Sequence, residues 1–160
     1  MGIAIAVACA EELVDELTAE MARACGERLI LKSLDGVKIE GRLAERRAFE
    51  ERGNALQTRL RGLIREAAIE AGISPDGEDV ATRLAQASPE AAVLADRIGA
   101  IRALAAQLSE VNTFNKAFAE RALACTRAFV RTLAPRPSAY DRHGSEPAPE
   151  AALGSISRRA

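Results

Sequence analysis

The sequence predicts an all-α protein: an elongated antiparallel helical bundle or coiled coil of about three long helices, followed by a disordered C-terminal tail. The chain has 160 residues, enough for a single core. Apolar residues make up 48% of it but aromatic residues only 3%, and Ala and Leu supply much of the rest, a composition typical of helical bundles. Over long stretches the apolar residues recur at steps of three and four, the spacing that places them on one face of a helix.

The first helix is predicted over residues 3–34, with one apolar stripe and an acidic face opposite it. The stripe consists of Leu13, Leu17, Met21, Ala24 and Leu31. The acidic face is expected to hold Glu11, Glu12, Asp15, Glu16 and Glu20. A break is expected over 33–36, because Asp35 can cap a following helix and Gly36 weakens a helix interior. The pattern is consistent with either a turn or a kink.

The second helix is predicted over residues 37–71, and its apolar positions are Ile39, Leu43, Phe49, Leu56, Leu60, Leu63 and Ala67. Gly41, Gly53 and Gly62 each disfavour a helix by up to about 1 kcal/mol relative to Ala. Close approach of another helix is one reason for glycines there. Gly72 and the turn signal Pro75-Asp76-Gly77 should end the helix. A short helix over 78–87 is expected to follow.

The last helix is predicted over residues 89–133. Ser88 is a suitable N-cap, Pro89 suits the first helical position, and Glu90 lies near the positive end of the helix dipole. The best-patterned register in this helix is Leu104, Leu108, Val111, Asn115, Phe118, Ala122, Cys125 and Phe129. Residues 1–134 are therefore assigned to the bundle. Residues 135–160 contain prolines and polar residues and are assigned to a flexible tail.

The composition argues against several classes of partner. The net charge of -1 provides no global field that would attract nucleic acid or an anionic membrane. Cys9, Cys25 and Cys125 form no C-x-x-C pair, and are expected to be reduced core residues of a cytoplasmic protein. The apolar run over residues 3–10 is expected to begin a helix rather than form a signal peptide, because no Lys or Arg precedes it and acidic residues follow.

No constellation for catalysis or for a cofactor is recognisable. The single histidine, His143, lies in the predicted tail, where no scaffold holds it, so neither a catalytic triad nor a histidine-based metal site is expected. Phosphate-binding glycine motifs are absent. A small helical enzyme that grips a dicarboxylate is the competing class, for which Arg28 and Lys38 are the candidate residues. We expect no enzyme activity and no cofactor or metal.

Asn112 and Asn115 lie one turn apart within the apolar stripe of the last helix. A buried Asn in such a stripe sets helix register or partner choice, which favours a partner-binding face. In the alternative, Asn112 points to solvent and Asn115 is partly buried within an intramolecular bundle. In the tail, Tyr140 is an isolated aromatic residue, as found in short linear binding motifs.

Together these elements resemble the FlgN family of flagellar export chaperones. The resemblance rests on the acidic first helix, the Leu34-Asp35-Gly36 step, and the Leu108-x-x-x-Asn112-x-x-Asn115 element followed by Phe118, Phe129 and Leu133. The segment from Tyr140 to Gly144 is similar to the Tyr-x-x-x-Gly element that often ends these proteins. The residues after Gly144 and the apolar N-terminus depart from the simplest family pattern.

The resemblance implies a cytoplasmic, non-enzymatic chaperone that binds the hook-filament junction proteins FlgK and FlgL and delivers them to the export gate protein FlhA. Tyr140 then corresponds to the tail tyrosine that docks to FlhA. The family binds cargo through its C-terminal half, and the matching residues are Leu104, Leu108, Val111, Asn112, Asn115, Phe118, Cys125 and Phe129. The alternative from the pattern alone is a generic coiled-coil adaptor that homodimerises through the same stripe.

Overall fold

Four α-helices make up the regular structure of the computed structural model, which describes residues 2–76 and 79–133. Over these ranges the protein is all-α, as predicted. The helices are α1 (Gly2–Ser33), α2 (Gly36–Glu70), α3 (Val80–Ala87) and α4 (Pro89–Leu133). Their ends differ from the predicted ones by no more than two residues. The predicted tail, with Tyr140 and His143, lies outside the described residues.

The connection between α1 and α2 is a tight turn and not a kink. Leu34 adopts a left-handed conformation with φ of 52°. The Asp35 carboxylate accepts hydrogen bonds from the backbone N–H groups of Val37 (3.1 Å) and Lys38 (3.3 Å). These bonds, with the Lys38 N–H first, lower the pKa of Asp35 below its ordinary value of 3.8. The predicted cap is confirmed, and the turn makes α1 and α2 an antiparallel hairpin.

The ends of α2 and the start of α4 also follow local sequence signals. Gly72 has a φ of +69°, a conformation that Gly adopts without strain. Its N–H bonds to the Ile69 carbonyl, and the Ile73 N–H bonds to the Ala68 carbonyl at 2.8 Å. At the start of α4 the Ser88 hydroxyl accepts a hydrogen bond from the Ala91 N–H at 3.1 Å. The end of α2 and the start of α4 are thus formed by Gly72 and Ser88, the residues from which these ends are predicted.

The described residues divide into two units, the first ending at Glu120 and the second beginning at Arg121. In the first unit α1, α2 and the first part of α4 share one apolar core. Its fully or almost fully buried members are Ala6, Cys9, Ala10, Leu13, Leu17, Ala24, Leu60, Leu94 and Leu108. A smaller cluster joins α3 to the end of α2 and the start of α4 through Ala67, Ala68, Val80, Leu84 and Ala91.

Polar contacts give the direction of α4 within the first unit. Arg97 pairs with Glu11 (3.3 Å) and Asn115 bonds to Ala24, so α4 runs in the same direction as α1. The core side of α1 is lined by small residues, which lets neighbouring backbones approach closely. Ala6, Ala10 and Ala24 are each completely buried.

The predicted role of the α2 glycines in close helix approach is wrong. A Cβ atom at Gly41 or Gly62 would meet nothing within 4 Å, and at Gly53 it would meet only the Phe49 ring of the same helix, at 4.0 Å. The smallest side chains of the buried stripe are the alanines of α1 and not these glycines, since Ala6, Ala10 and Ala24 are each completely buried.

The prediction that all three cysteines are core residues is wrong for two of them. Cys9 is buried, and its Sγ donates to the Leu56 carbonyl at 3.7 Å. Burial raises the pKa of this thiol above its ordinary value of 9.0. Cys25 and Cys125 are exposed. The apolar pattern of their helices suggests burial, but both side chains are accessible to solvent.

Candidate partner-binding surface

The first part of the predicted stripe on α4 belongs to the protein's own core. Leu108 is only 7% exposed. Leu104 and Val111 are half-buried and pack against the same core cluster. These three residues face α1 and α2 because the step of three and four keeps them on one side of the helix. Their predicted contact with a partner stays a prediction.

The two amides of the stripe connect α4 to the α1–α2 hairpin. Asn115 is 2% exposed, and its Nδ2 donates to the Ala24 carbonyl at 2.7 Å. The Asn112 Oδ1 accepts a hydrogen bond from Arg46 Nη2 at 2.7 Å. Both amides therefore make directional contacts to another helix. Such contacts select one register of α4 among the many that an Ala/Leu stripe allows.

A buried ion-pair network lies beside these amides, and it overturns one prediction. Glu20 was expected on the acidic face of α1 but is only 1% exposed. Its carboxylate pairs with the guanidinium of Arg42, which is itself 5% exposed, and Arg42 and Arg46 both pair with Glu27. The spacing along α1 indicates this burial, since Glu20 lies three residues after Leu17 and four before Ala24, at a position that faces the core.

The surroundings of Arg42 favour the charged form of its guanidinium. Burial by itself lowers the pKa of this guanidinium, but the hydrogen bond to Glu20 and the charges of Glu20, Glu27 and Glu45 raise it above its ordinary value. A buried pair of this kind contributes little net stability when complete, but leaves an uncompensated buried charge when one partner is removed. Removal of one partner is therefore expected to destabilise the hairpin.

A groove of about 720 Å³ is lined by α1, α2 and α4 beside this network. Leu17, Phe49 and Leu108 are among its apolar lining, and Leu43, which is 49% exposed, lies on its rim. Asn115 lines the groove as well, and its Oδ1 has no hydrogen-bond partner among the described residues. The lining of the groove thus combines apolar and polar side chains, a mixture common in binding sites.

The second part of the stripe, in residues 121–133, has no buried member. This segment contains four large hydrophobic residues that are about half exposed or more: Leu123 (49%), Phe129 (64%), Val130 (48%) and Leu133 (65%). Cys125 is exposed too. Phe118, just before the segment, is half-buried. Of the predicted contact residues, Cys125 and Phe129 are therefore the ones fully available to a partner.

A comparison with protein-family models decides the family. The model of the FlgN protein family matches residues 10–148, most of the chain. The chain belongs to the FlgN family. This membership confirms the resemblance that the Asn-containing stripe and the tyrosine segment predict. No curated protein and no solved structure matches the chain.

The FlgN family is a family of flagellar export chaperones and not of enzymes. For this FlgN-family chain, the two residues of the competing enzyme hypothesis, Arg28 and Lys38, have different contacts. Arg28 lies over the Phe114 ring, 4.9 Å from its centroid, whereas Lys38 is exposed and pairs with the carboxylate of Asp35 at 3.3 Å. Each of the two cations thus has a local contact of its own.

Two further observations concern the described part of this FlgN-family chain. Residues 2–76 and 79–133 contain no group of three or more His, Cys, Asp or Glu side chains placed to hold a metal ion. Among the helices of the same ranges, none is both long and apolar enough to cross a membrane.

Proposed function

We propose that this chain is a cytoplasmic chaperone that binds the hook-filament junction proteins FlgK and FlgL through α4 and delivers them to the export gate protein FlhA. Membership of the FlgN family supports the general role of a flagellar export chaperone. The observation that carries the proposed cargo site is the exposed apolar surface of residues 121–133. A chaperone needs such a surface, because it must cover apolar residues of its cargo before assembly.

The exposed side chains have the arrangement that binds a helix. Cys125 and Phe129 lie one turn apart, and Leu133 follows after another turn, so the three form a row along α4. A row of this kind packs against the apolar face of an amphipathic helix. Phe129 is the single aromatic residue in the row, and interfaces with few aromatic anchors bind with modest affinity. Modest affinity suits a cargo that must later be released.

We assign different roles to the eight predicted contact residues. Phe118, Cys125 and Phe129 are proposed to contact cargo directly. The other five are proposed to act indirectly, because they set the position of α4 on the hairpin: Leu104, Leu108, Val111, Asn112 and Asn115. The proposed docking of Tyr140 to FlhA rests on the family resemblance, since Tyr140 lies outside the described residues.

Co-purification with FlgK and FlgL of the same organism tests the cargo site. The variant Phe129→Asp with Leu133→Asp places charge on the exposed row, and we expect it to lose both cargo proteins while circular dichroism shows unchanged folding. The matched control is Leu29→Asp with Val37→Asp, which changes exposed residues of the first unit (72% and 81% exposed) and should retain cargo. Retention by the α4 variant, or equal loss in the control, contradicts the proposed site.

Light scattering distinguishes the chaperone from a homodimerising adaptor. When light scattering is combined with size-exclusion chromatography, we expect the free chain to elute as a monomer and its mixture with FlgK to elute as a complex. A stable dimer that FlgK does not change would favour the adaptor.

A tail variant tests the proposed contact with the export gate. Tyr140→Ala should retain cargo but no longer bind FlhA, which would separate the gate contact from the cargo contact.

A further inference from the structure

The exposed segment of α4, residues 121–133, is basic as well as apolar. It contains Arg121, Arg127 and Arg131 and no Asp or Glu, although the whole chain has a net charge of -1. All three arginines are exposed, and none forms an ion pair with another described residue. The segment is therefore a local concentration of positive charge.

Two of the three arginines lie beyond the edges of the apolar face, one on each side. At 100° per residue, Arg121 projects about 80° to one side of Phe129 and Arg127 about 160° to the other, whereas Arg131 projects about 200° from Phe129, on the opposite side of the helix. Leu123 and Val130 lie between the row and Arg127 and widen the apolar face. An apolar face flanked by charges is the pattern that selects partners in helix pairs, where the flanking residues pair across the interface.

The helix dipole does not account for this charge. Cations stabilise a helix only within its last turn, and Arg131 is the basic residue of the last turn of α4. Arg121 and Arg127 lie further from the helix end, where the interaction with the dipole has fallen off. Their positions beside an exposed apolar row call for another explanation.

We propose that residues 121–133 bind an amphipathic helix whose apolar stripe is flanked by Asp and Glu residues. This inference rests on the proposed function and adds the chemical class of the cargo segment. A segment of this length is about 20 Å long, so it contacts about four turns of a partner helix. The apolar row provides the packing, Arg121 and Arg127 at its edges select an acidic partner, and the positive charge of all three arginines speeds its association.

A second copy of this chain is disfavoured as the partner. Pairing residues 121–133 with themselves would place the arginines of two copies together with no carboxylate from either segment. Like charges at the flanking positions of a helix pair destabilise it. The charge complementarity therefore favours a different protein with carboxylates at these positions.

Two synthetic helical peptides of about 14 residues test the inference on the full chain. They share one Leu/Ala stripe and differ only in their flanking residues, which are Glu in one and Lys in the other. We expect the Glu peptide to bind at least about tenfold more tightly, as measured by fluorescence anisotropy, and its affinity to fall when salt is raised. Equal affinities of the two peptides would overturn the inference.

Charge-removal variants show where the peptide binds. Arg121→Gln with Arg127→Gln and Arg131→Gln should weaken the Glu peptide about tenfold. The matched control, Arg47→Gln with Arg61→Gln and Arg65→Gln, removes three exposed arginines of α2 and should leave the affinity unchanged. Equal weakening in both variants, or none in the first, contradicts the assignment to α4.

Two further experiments distinguish this inference from the proposed function and from lipid binding. If the triple α4 variant retains FlgK and FlgL as well as the unchanged chain does, and high salt does not release them, the acidic-helix inference is overturned and the chaperone function still stands. Binding of the Glu peptide with no capture of either protein would support the acidic-helix inference and contradict the proposed cargo. The chain can also be sedimented with phosphatidylglycerol vesicles. If it sediments with them and does not distinguish between the two peptides, the inference is overturned in favour of a membrane surface.

Discussion

The two parts of α4, Pro89–Glu120 and Arg121–Leu133, have similar apolar patterns and different surroundings. In the first part Leu94 is completely buried and Leu108 is 7% exposed, whereas in the second part Phe129 and Leu133 are 64% and 65% exposed. The polar residues differ as well. Asn112 and Asn115 bond to other helices, while the arginines of the second part form no ion pair with a described residue. One continuous helix thus serves both as a core element and as an available surface.

This difference explains how a chain of modest size can offer apolar side chains and still fold. The first part of α4 shares its core with α1 and α2, and burial of that core drives folding. The second part contributes no buried residue, so changes in its side chains should leave the folded core unaffected. Substitutions in both parts of the molecule and a change of pH can test this separation.

Removing one partner of the buried ion pair should have the largest effect on stability. Arg42→Ala leaves the buried carboxylate of Glu20 with only the partly exposed Arg23, at 3.0 Å, as a cation, and we expect a loss of about 3–5 kcal/mol in the free energy of unfolding. Urea denaturation followed by circular dichroism measures it. Arg47→Ala changes an exposed arginine of the same helix and should cost less than about 0.5 kcal/mol. Equal losses would show that the buried network has no special role.

The same substitution in the two parts of α4 should give opposite phenotypes. Leu94→Ala removes a fully buried side chain and should cost about 2–5 kcal/mol in the free energy of unfolding. Leu133→Ala should cost less than about 0.5 kcal/mol and weaken the capture of cargo. Thermal unfolding and co-purification measure the two effects. If Leu133→Ala destabilised the protein as much as Leu94→Ala, residues 121–133 would have a core function.

Mild acid should have the smallest effect and should act on the first unit. Hydrogen bonds from Arg52 hold the pKa of Glu16 below its ordinary value of 4.5. Because the folded pKa is lowered, this pair stabilises the protein fully above about pH 4.5, and the contribution is lost as the pH falls through the lower folded value. The pair is partly exposed, so the change is small.

Amide hydrogen exchange between pH 6 and pH 3 locates this effect, after correction for the intrinsic pH dependence of exchange. Protection should fall in α1 and α2 around Glu16 and Arg52, and Glu16→Gln should remove that response. Residues 121–133 contain no carboxylate and should show no comparable change. A response confined to the end of α4 would contradict the assignment.

Local sequence signals predicted the helices and their boundaries well. Asp35, Gly72 and Ser88 each act through bonds to residues a few positions away, so their roles can be read without knowing the tertiary contacts. Glu20 and Arg42 were missed because a charge on a helix is ordinarily solvated, and only the partner on the other helix makes its burial tolerable. Cys25 and Cys125 were misplaced because an apolar pattern does not say whether another helix covers it.

The all-α fold, the helix ends and the residues that share the stripe of α4 follow from the amino-acid pattern, because spacing and capping are local properties. The same pattern contains the resemblance to the FlgN family. Which part of the stripe is buried and which part is exposed, and which amides and charges pair, became visible in the folded molecule alone. Those outcomes depend on contacts between helices far apart in the sequence, such as Asn115 with Ala24 and Arg42 with Glu20.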